Sequence, residues 1–123
     1  MKKALALALI IIIFSIFSGG SWKDDKYEIY YMDGNIVLGI KYSGTPDHHR
    51  RVEHKVIGAI SNDKYVIAKQ EVSENNLFKY YYIDKIKDHE NLNPDEITMG
   101  PYSKQQLTEL EKQFDFPSIP DEF

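Results

Sequence analysis

The sequence predicts an α+β fold, an antiparallel meander of about five strands with one C-terminal helix packed on a face. Short β-rich runs separated by turn residues occupy most of residues 27–86. A segment with helical spacing of apolar residues and a capping sequence follows at Ser103. Residues 27–117 are therefore predicted to form a single domain, followed by an extended tail at residues 118–123.

The first hairpin is predicted from residues 27–32 and 35–42, which flank Asp33-Gly34. An Asp-Gly pair between β-rich runs favours a type I′ turn, because that turn needs positive φ at both central residues. Residues 43–53 contain a glycine and a proline followed by a polar cluster, and they are predicted to form a loop.

The second hairpin pairs residues 54–61 with residues 64–72 around Asn62-Asp63, and residues 77–86 supply the fifth strand. A polar loop covers residues 88–96, and a short edge strand at residues 97–99 is compatible with the pattern.

The helix is predicted to begin after Ser103. Ser103 and Gln106 have the spacing of a capping box, in which each side chain bonds the other residue's main-chain N–H. Apolar residues then recur at helical spacing, and Pro117 marks the end of the segment; they are Leu107, Leu110 and Phe114.

Residues 1–20 have the order of a secretory signal peptide: two lysines, an apolar run and small residues. The apolar run at residues 4–17 is shorter than the roughly 20 residues that a transmembrane helix needs. Small residues at 18 and 20 predict cleavage between Gly20 and Ser21, and an uncleaved anchor is the alternative. Residues 21–26 are then a flexible lead-in to the domain.

This leader predicts an exported protein of the periplasm, the cell envelope or the medium. Without Lys2 and Lys3, 13 basic residues stand against 19 acidic ones, a net charge of −6. Nucleic acids and anionic membranes bind proteins through clustered basic residues, so neither is an expected partner. Membrane contact is expected only if the leader is uncleaved. The lack of cysteine excludes thiol catalysis and thiolate metal sites.

Four passages carry a family resemblance. They are the leader end Phe17-Ser18-Gly19-Gly20 with the Trp-containing segment after it, residues 62–70, residues 80–85, and Gly100-Pro101-Tyr102-Ser103 before a helix. In these passages the chain resembles a family of small bacterial lipoproteins classed only as a domain of unknown function. The resemblance implies an exported α+β domain and no particular activity. The family's acylated cysteine is Gly20 here, so lipid anchoring by that chemistry is not expected.

Two tyrosine runs are candidates for a binding surface. Consecutive strand residues alternate faces, so each run places a ring on both sides of the sheet. One side packs under the helix and the other exposes aromatic area, which is enriched at binding surfaces. The alternative is cross-strand aromatic pairing that stabilises the sheet. The candidate residues are Tyr30, Tyr31, Tyr80, Tyr81 and Tyr82.

A histidine-rich loop is the one dense group of possible metal ligands. His48, His49 and His54 lie near Asp47 and Glu53, and neutral imidazole binds zinc or copper. Structural zinc sites favour tighter and more regular spacing, and two neighbouring arginines repel cations. A solvated loop is therefore the favoured interpretation, and no cofactor is expected.

The sequence lacks the motifs of common enzyme classes. No Gly-x-Ser-x-Gly elbow and no glycine-rich phosphate loop is present, and paired acidic residues lie in polar loops. The prediction is a non-enzymatic binding or interaction domain, for example an inhibitor or immunity-type protein, whose partner is another envelope or secreted protein. The alternative is a small-ligand or metal-binding module built on the His48/His49/His54 loop.

The leader prediction is tested by the intact mass of the full-length protein expressed in a bacterium. We expect a soluble periplasmic or secreted product whose mass begins at Ser21, because residues 18–21 are small enough for the peptidase. An uncleaved mass in the membrane fraction would instead identify residues 4–20 as an anchor.

Overall fold

The computed structural model describes residues 22–24, 26–45, 47–53, 55–73 and 77–123. Within these ranges the chain forms seven strands and two short helices, with the strands in two antiparallel sheets. The predicted α+β class is confirmed. The predicted five-strand meander is wrong in strand number and in arrangement, since the strands divide into a three-stranded and a four-stranded sheet.

The first sheet has the order β1 (Tyr27–Met32), β2 (Asn35–Lys41), β3 (His48–Val52). The predicted turn is confirmed, with positive φ at Asp33 (52°) and Gly34 (83°). β3 corrects the predicted loop at residues 43–53. Its sequence HHRRV has little strand character, and it is a strand because it pairs with β2.

The second sheet has the order β4 (Val56–Ser61), β5 (Tyr65–Ser73), β6 (Leu77–Asp84), β7 (Thr98–Tyr102). Asn62 forms the turn between β4 and β5, where its Oδ1 accepts from the main-chain N–H groups of Lys64 (2.9 Å) and Tyr65 (2.8 Å). The expected short edge strand is present as β7, which pairs with β6.

Two short helices flank β7. The first, α1 (Pro94–Ile97), lies in a stretch predicted to be loop. The second, α2 (Lys104–Glu111), is the predicted helix and packs against β6 and β7. Its capping box is confirmed: Gln106 N donates to Ser103 Oγ at 3.1 Å, and Ser103 N donates to Gln106 Oε1 at 2.8 Å.

A single cluster of buried side chains joins the two sheets and the second helix. Tyr27 and Leu38 enter it from the first sheet, Ile67 and Ile83 from the second, and Leu107 from α2. The apolar stripe predicted for the helix therefore faces this core through its most buried member, Leu107.

The two ends of the described chain also pack on this core. Trp22 is 6% exposed, and its main-chain oxygen accepts from Ile29 N at 2.9 Å. Lys85 Nζ donates to Asp24 Oδ2 at 2.9 Å, so the residues predicted as a flexible lead-in (21–26) are tied to the domain where they are described. Burial of the indole ring explains this correction.

Residues 118–123, predicted as an extended tail, contain no helix or strand, but Phe123 is buried in the core. The packed unit therefore extends beyond the predicted boundaries of 27 and 117. The predicted signal peptide (1–20) and the cleavage site between Gly20 and Ser21 lie outside the described residues. Within the part of the chain that is described, no helix has the length and apolar character needed to cross a bilayer.

Candidate functional site

A buried ion pair lies beside the first sheet. Arg51 belongs to β3, and Asp88 belongs to the segment that follows β6. Arg51 Nε donates to Asp88 Oδ2 at 2.9 Å, and Nη2 donates to Oδ1 at 2.9 Å. Both side chains are 0% exposed. This two-bond fork is the strongest arrangement available to an arginine and a carboxylate, and it fixes the orientation of both groups.

Further hydrogen bonds surround this ion pair. Tyr27 Oη donates to Asp88 Oδ2 at 2.7 Å, which connects β1 to the pair. Arg51 Nη1 donates to Arg50 O at 3.0 Å, and Nη2 donates to His89 O at 2.9 Å. A buried ion pair tolerates the loss of water only when such further hydrogen bonds are made. The network therefore fixes the path of the chain at residues 88–89.

The segment fixed by the ion pair forms one wall of a cleft of about 560 Å³. A second set of contacts closes its outer part: Ser43 N donates to Glu90 Oε2 at 2.6 Å, and His49 Nδ1 lies 2.9 Å from Glu90 O. The wall is thus attached to the ends of β2 and β3. The cleft is lined by Lys26, Ile40, Lys41, Tyr42, Ser43, Asp88, His89, Glu90 and Asn91; we call it the lysine cleft.

The two carboxylates that line the lysine cleft already have partners. Asp88 is bound by Arg51 and Tyr27, and Glu90 accepts from Ser43 N. Lys26 Nζ donates to an uncharged main-chain oxygen, that of Lys85, at 3.2 Å. Lys41 forms no ion pair with any described residue. Arg51 neutralises Asp88, so the two lysines outweigh Glu90 and the cleft is positive overall, in a chain whose formal net charge is −4.

Tyr27 acts in this site as a permanent hydrogen-bond donor. Burial, together with its hydrogen bond to Asp88, raises the pKa of Tyr27 well above its ordinary value of 10.0. The phenol therefore keeps its proton throughout the neutral range, and the Asp88 carboxylate accepts hydrogen bonds from both Tyr27 and Arg51. Tyr27, Arg51 and Asp88 thus stabilise the wall of the cleft. The groups that can contact a ligand are the lysines and the main chain of the lining.

Comparison of the chain with protein-family models, with curated proteins and with solved structures finds no match. The resemblance to a small lipoprotein family stays a prediction. Function is therefore inferred from the site itself, since fold alone does not determine activity.

The five tyrosines predicted as a binding surface are not brought together. Tyr80 and Tyr82 are buried, with Phe123 at 5.9 Å from the first ring and Phe116 at 5.0 Å from the second. Tyr81 is partly buried and donates to Gln70 Oε1 at 3.1 Å.

The other two members of that predicted surface lie on the first sheet. Tyr30 stacks on His48 with ring centroids 4.4 Å apart, and Tyr31 is 73% exposed. The rings are separated because the two runs belong to different sheets and the chain after α2 covers one face of the second.

The predicted histidine cluster is also divided. His48 and His49 are consecutive in β3, so they lie on opposite faces of the strand. His48 Nε2 lies 2.8 Å from Glu28 Oε1, whereas His49 contacts Glu90 O. His54 lies outside the described residues, and no group of three metal-ligating side chains occurs among those that are described.

The residues of the lysine cleft and its ion pair were not predicted. Arg51 and Asp88 are 37 residues apart in the sequence, and each lies among other polar residues that give no sign of burial. Only Tyr27 carried a signal, because it shares the apolar face of β1 with Ile29.

The ion pair gives a prediction for stability. Arg51→Met or Asp88→Leu alone should cost about 3–5 kcal/mol in the free energy of unfolding, because each leaves one buried charge unpaired. The double variant should recover much of this loss, since no unpaired charge remains. Urea denaturation measures all three free energies.

The matched control is the exposed pair Lys64–Asp115, whose Nζ and Oδ2 lie 2.7 Å apart. Lys64→Met and Asp115→Leu should have far smaller effects, with a coupling free energy of at most about 1 kcal/mol. Simple additivity of Arg51→Met and Asp88→Leu would contradict the assignment of a coupled buried pair.

The raised pKa of Tyr27 gives a prediction for alkaline pH. Above pH 10 Tyr27 loses its proton in the unfolded chain and keeps it in the folded chain. The contribution of Tyr27 to the free energy of unfolding is therefore fully present below pH 10 and falls as the pH rises above it. The stability deficit of Tyr27→Phe should be constant between about pH 7 and 9. It should then shrink by up to about 1.4 kcal/mol per pH unit.

Urea denaturation of both proteins from neutral to alkaline pH measures this difference. Contributions from the other tyrosines cancel, because both proteins contain them. A deficit that stays unchanged well above pH 10 would show that Tyr27 ionises equally in the folded and unfolded states.

Proposed function

We propose that this chain is an exported, non-enzymatic binding domain of the bacterial envelope and that the lysine cleft is its binding site. The partner is another envelope or secreted protein that places an acidic side chain in the cleft. The observation that carries the proposal is a fixed cleft whose own carboxylates are occupied while Lys41 has no ion-pair partner among the described residues.

The rigidity of the cleft supports a binding role. Its wall at residues 88–91 is fixed from inside by Arg51 and from outside by Ser43 and His49. A preformed site does not lose the conformational entropy that ordering a mobile loop would cost on association. Affinity can therefore come from a small number of contacts.

The distribution of charge supports a protein partner. The acidic surface of the chain as a whole attracts a basic partner at long range. Within the contact, Lys26 and Lys41 would then form ion pairs with one acidic side chain of the partner and fix the register of the complex. An inhibitor or immunity-type protein that covers a basic toxin or enzyme is a concrete form of this arrangement.

The state of the acidic groups favours binding over catalysis. General acid–base chemistry needs a group that is free to take or give a proton at the substrate. Both oxygens of Asp88 accept hydrogen bonds from Arg51, and Oδ2 accepts a further one from Tyr27. The carboxylate of Glu90 is bound to Ser43 N.

The test compares capture of envelope proteins by three forms of the full chain. The wild type is compared with Lys26→Glu/Lys41→Glu and with Lys79→Glu/Lys112→Glu, which makes the same change of charge at exposed lysines outside the cleft. We expect a protein retained by the wild type and the control variant but reduced about tenfold or more on the cleft variant.

Equal capture by all three forms would contradict the cleft as the binding site. Failure of the wild type to retain any envelope protein would contradict the proposal of a protein partner. The urea unfolding midpoints of the three forms show whether the substitutions leave the fold intact.

A further inference from the structure

Lys69, in β5, is a buried lysine without an acidic partner. The residue is 6% exposed, and no carboxylate of the described residues lies within ion-pair distance of its Nζ. Lysines are almost never buried without such a partner, because desolvation penalises the charged ammonium. Lys69 lies on the second sheet and outside the lining of the lysine cleft, so it is independent of the binding site proposed above.

Aromatic rings take the place of the missing carboxylate. Nζ of Lys69 lies 4.2 Å from the ring centroid of Phe78 and 5.8 Å from that of Phe123. A ring face attracts a cation more weakly than a carboxylate does. The surroundings therefore compensate only part of the cost of holding a charged amine here.

A second ammonium group shares the same ring. Nζ of Lys104 lies 5.9 Å from the centroid of Phe123 and is held there by hydrogen bonds to Pro120 O (3.1 Å) and Phe123 O (3.0 Å). Burial, and then the charge of Lys104, lower the pKa of Lys69. Tyr80 also donates to Phe123 O, at 2.9 Å, and the carboxylates of Asp121, Glu122 and Glu111 act on Lys104 from this side.

We propose that Lys69 is a reactive amine that captures small aldehydes. A desolvated lysine beside another cationic group is the arrangement that makes an amine nucleophilic near neutral pH. The lone pair of the neutral Nζ forms a bond to the carbonyl carbon. The two hydrogens of the amine and the carbonyl oxygen then leave as water, and the product is an imine with no change of oxidation state.

The packing around Lys69 limits the size of the aldehyde. Phe123 covers the amine on one side, and the chain there is held by Lys104 and Tyr80. Because Lys69 is only 6% exposed, compounds of a few carbon atoms are the expected class.

The test uses the full chain with acetaldehyde and cyanoborohydride, which converts each imine to a stable ethylamine. Peptide mass spectrometry measures the labelling rate of every lysine between about pH 6 and 10. The reduction step has a pH dependence that all lysines of one sample share, so the position of each profile relative to the others reports the relative pKa of that amine and does not depend on its accessibility. Lys79 and Lys87, which are exposed, serve as comparators in the same sample.

We expect the profile of Lys69 to level off at a lower pH than those of Lys79 and Lys87. Lys104→Gln should move it towards the exposed lysines by removing the neighbouring charge. Phe78→Leu should shift the Lys69 profile to a still lower pH, because it removes a ring that stabilises the charged ammonium form. Lys79→Gln is the matched control and should leave it unchanged.

Two results would overturn the proposal. One is a wild-type profile for Lys69 that coincides with the profiles of the exposed lysines. The other is absence of labelling at Lys69 in the folded chain while the urea-unfolded chain is labelled, which would show that small aldehydes cannot reach the amine. Both are measured on the wild type, so they do not depend on the folding of any variant.

Discussion

The buried pair of Arg51 and Asp88 is the interaction on which the cleft depends. It joins β3, an edge strand of the first sheet, to the segment that follows β6 of the second sheet, and Tyr27 ties the pair to β1. Two buried charges are costly, so they specify a conformation only because the forked geometry and the extra donors leave almost no polar group unpaired. A wall positioned in this way can present lysines and main-chain groups to a ligand without itself becoming part of the charge available for binding.

A second constraint lies on the outer face of the first sheet. Gly39 has no side chain, and this leaves space for the ring of Tyr30. A Cβ atom at Gly39 would lie 2.7 Å from Tyr30 Cε1, which is closer than van der Waals contact allows. The ring of Tyr30 therefore crosses β2 over the glycine and stacks on His48 in β3. Three strands are joined by one aromatic contact, which is the cross-strand pairing given above as the alternative interpretation of Tyr30.

Two of the buried cations among the described residues, Arg51 and Lys69, have different surroundings. Arg51 pairs with the carboxylate of Asp88 and has a structural role. Lys69 contacts aromatic rings and has the ammonium group of Lys104 nearby, so its charge is only partly compensated. The first arrangement holds a guanidinium that cannot lose its proton, and the second holds an amine that can. Arg51 lies on the first sheet and Lys69 on the second, so the lysine cleft is separate from the amine proposed to react.

The sequence by itself determined the features that depend on neighbouring residues. The Asp33-Gly34 turn, the strands of the two hairpins and the capping box at Ser103 follow from local backbone preferences, and each is present. Only the tertiary structure decided the division into two sheets, the strand β3 and the lysine cleft. These depend on partners far apart in the chain: β3 is a strand because β2 pairs with it, and Arg51 and Asp88 are buried because each neutralises the other. The sequence around a polar residue does not show which distant group will compensate its burial. The fold class could therefore be predicted from the sequence, and the site could not.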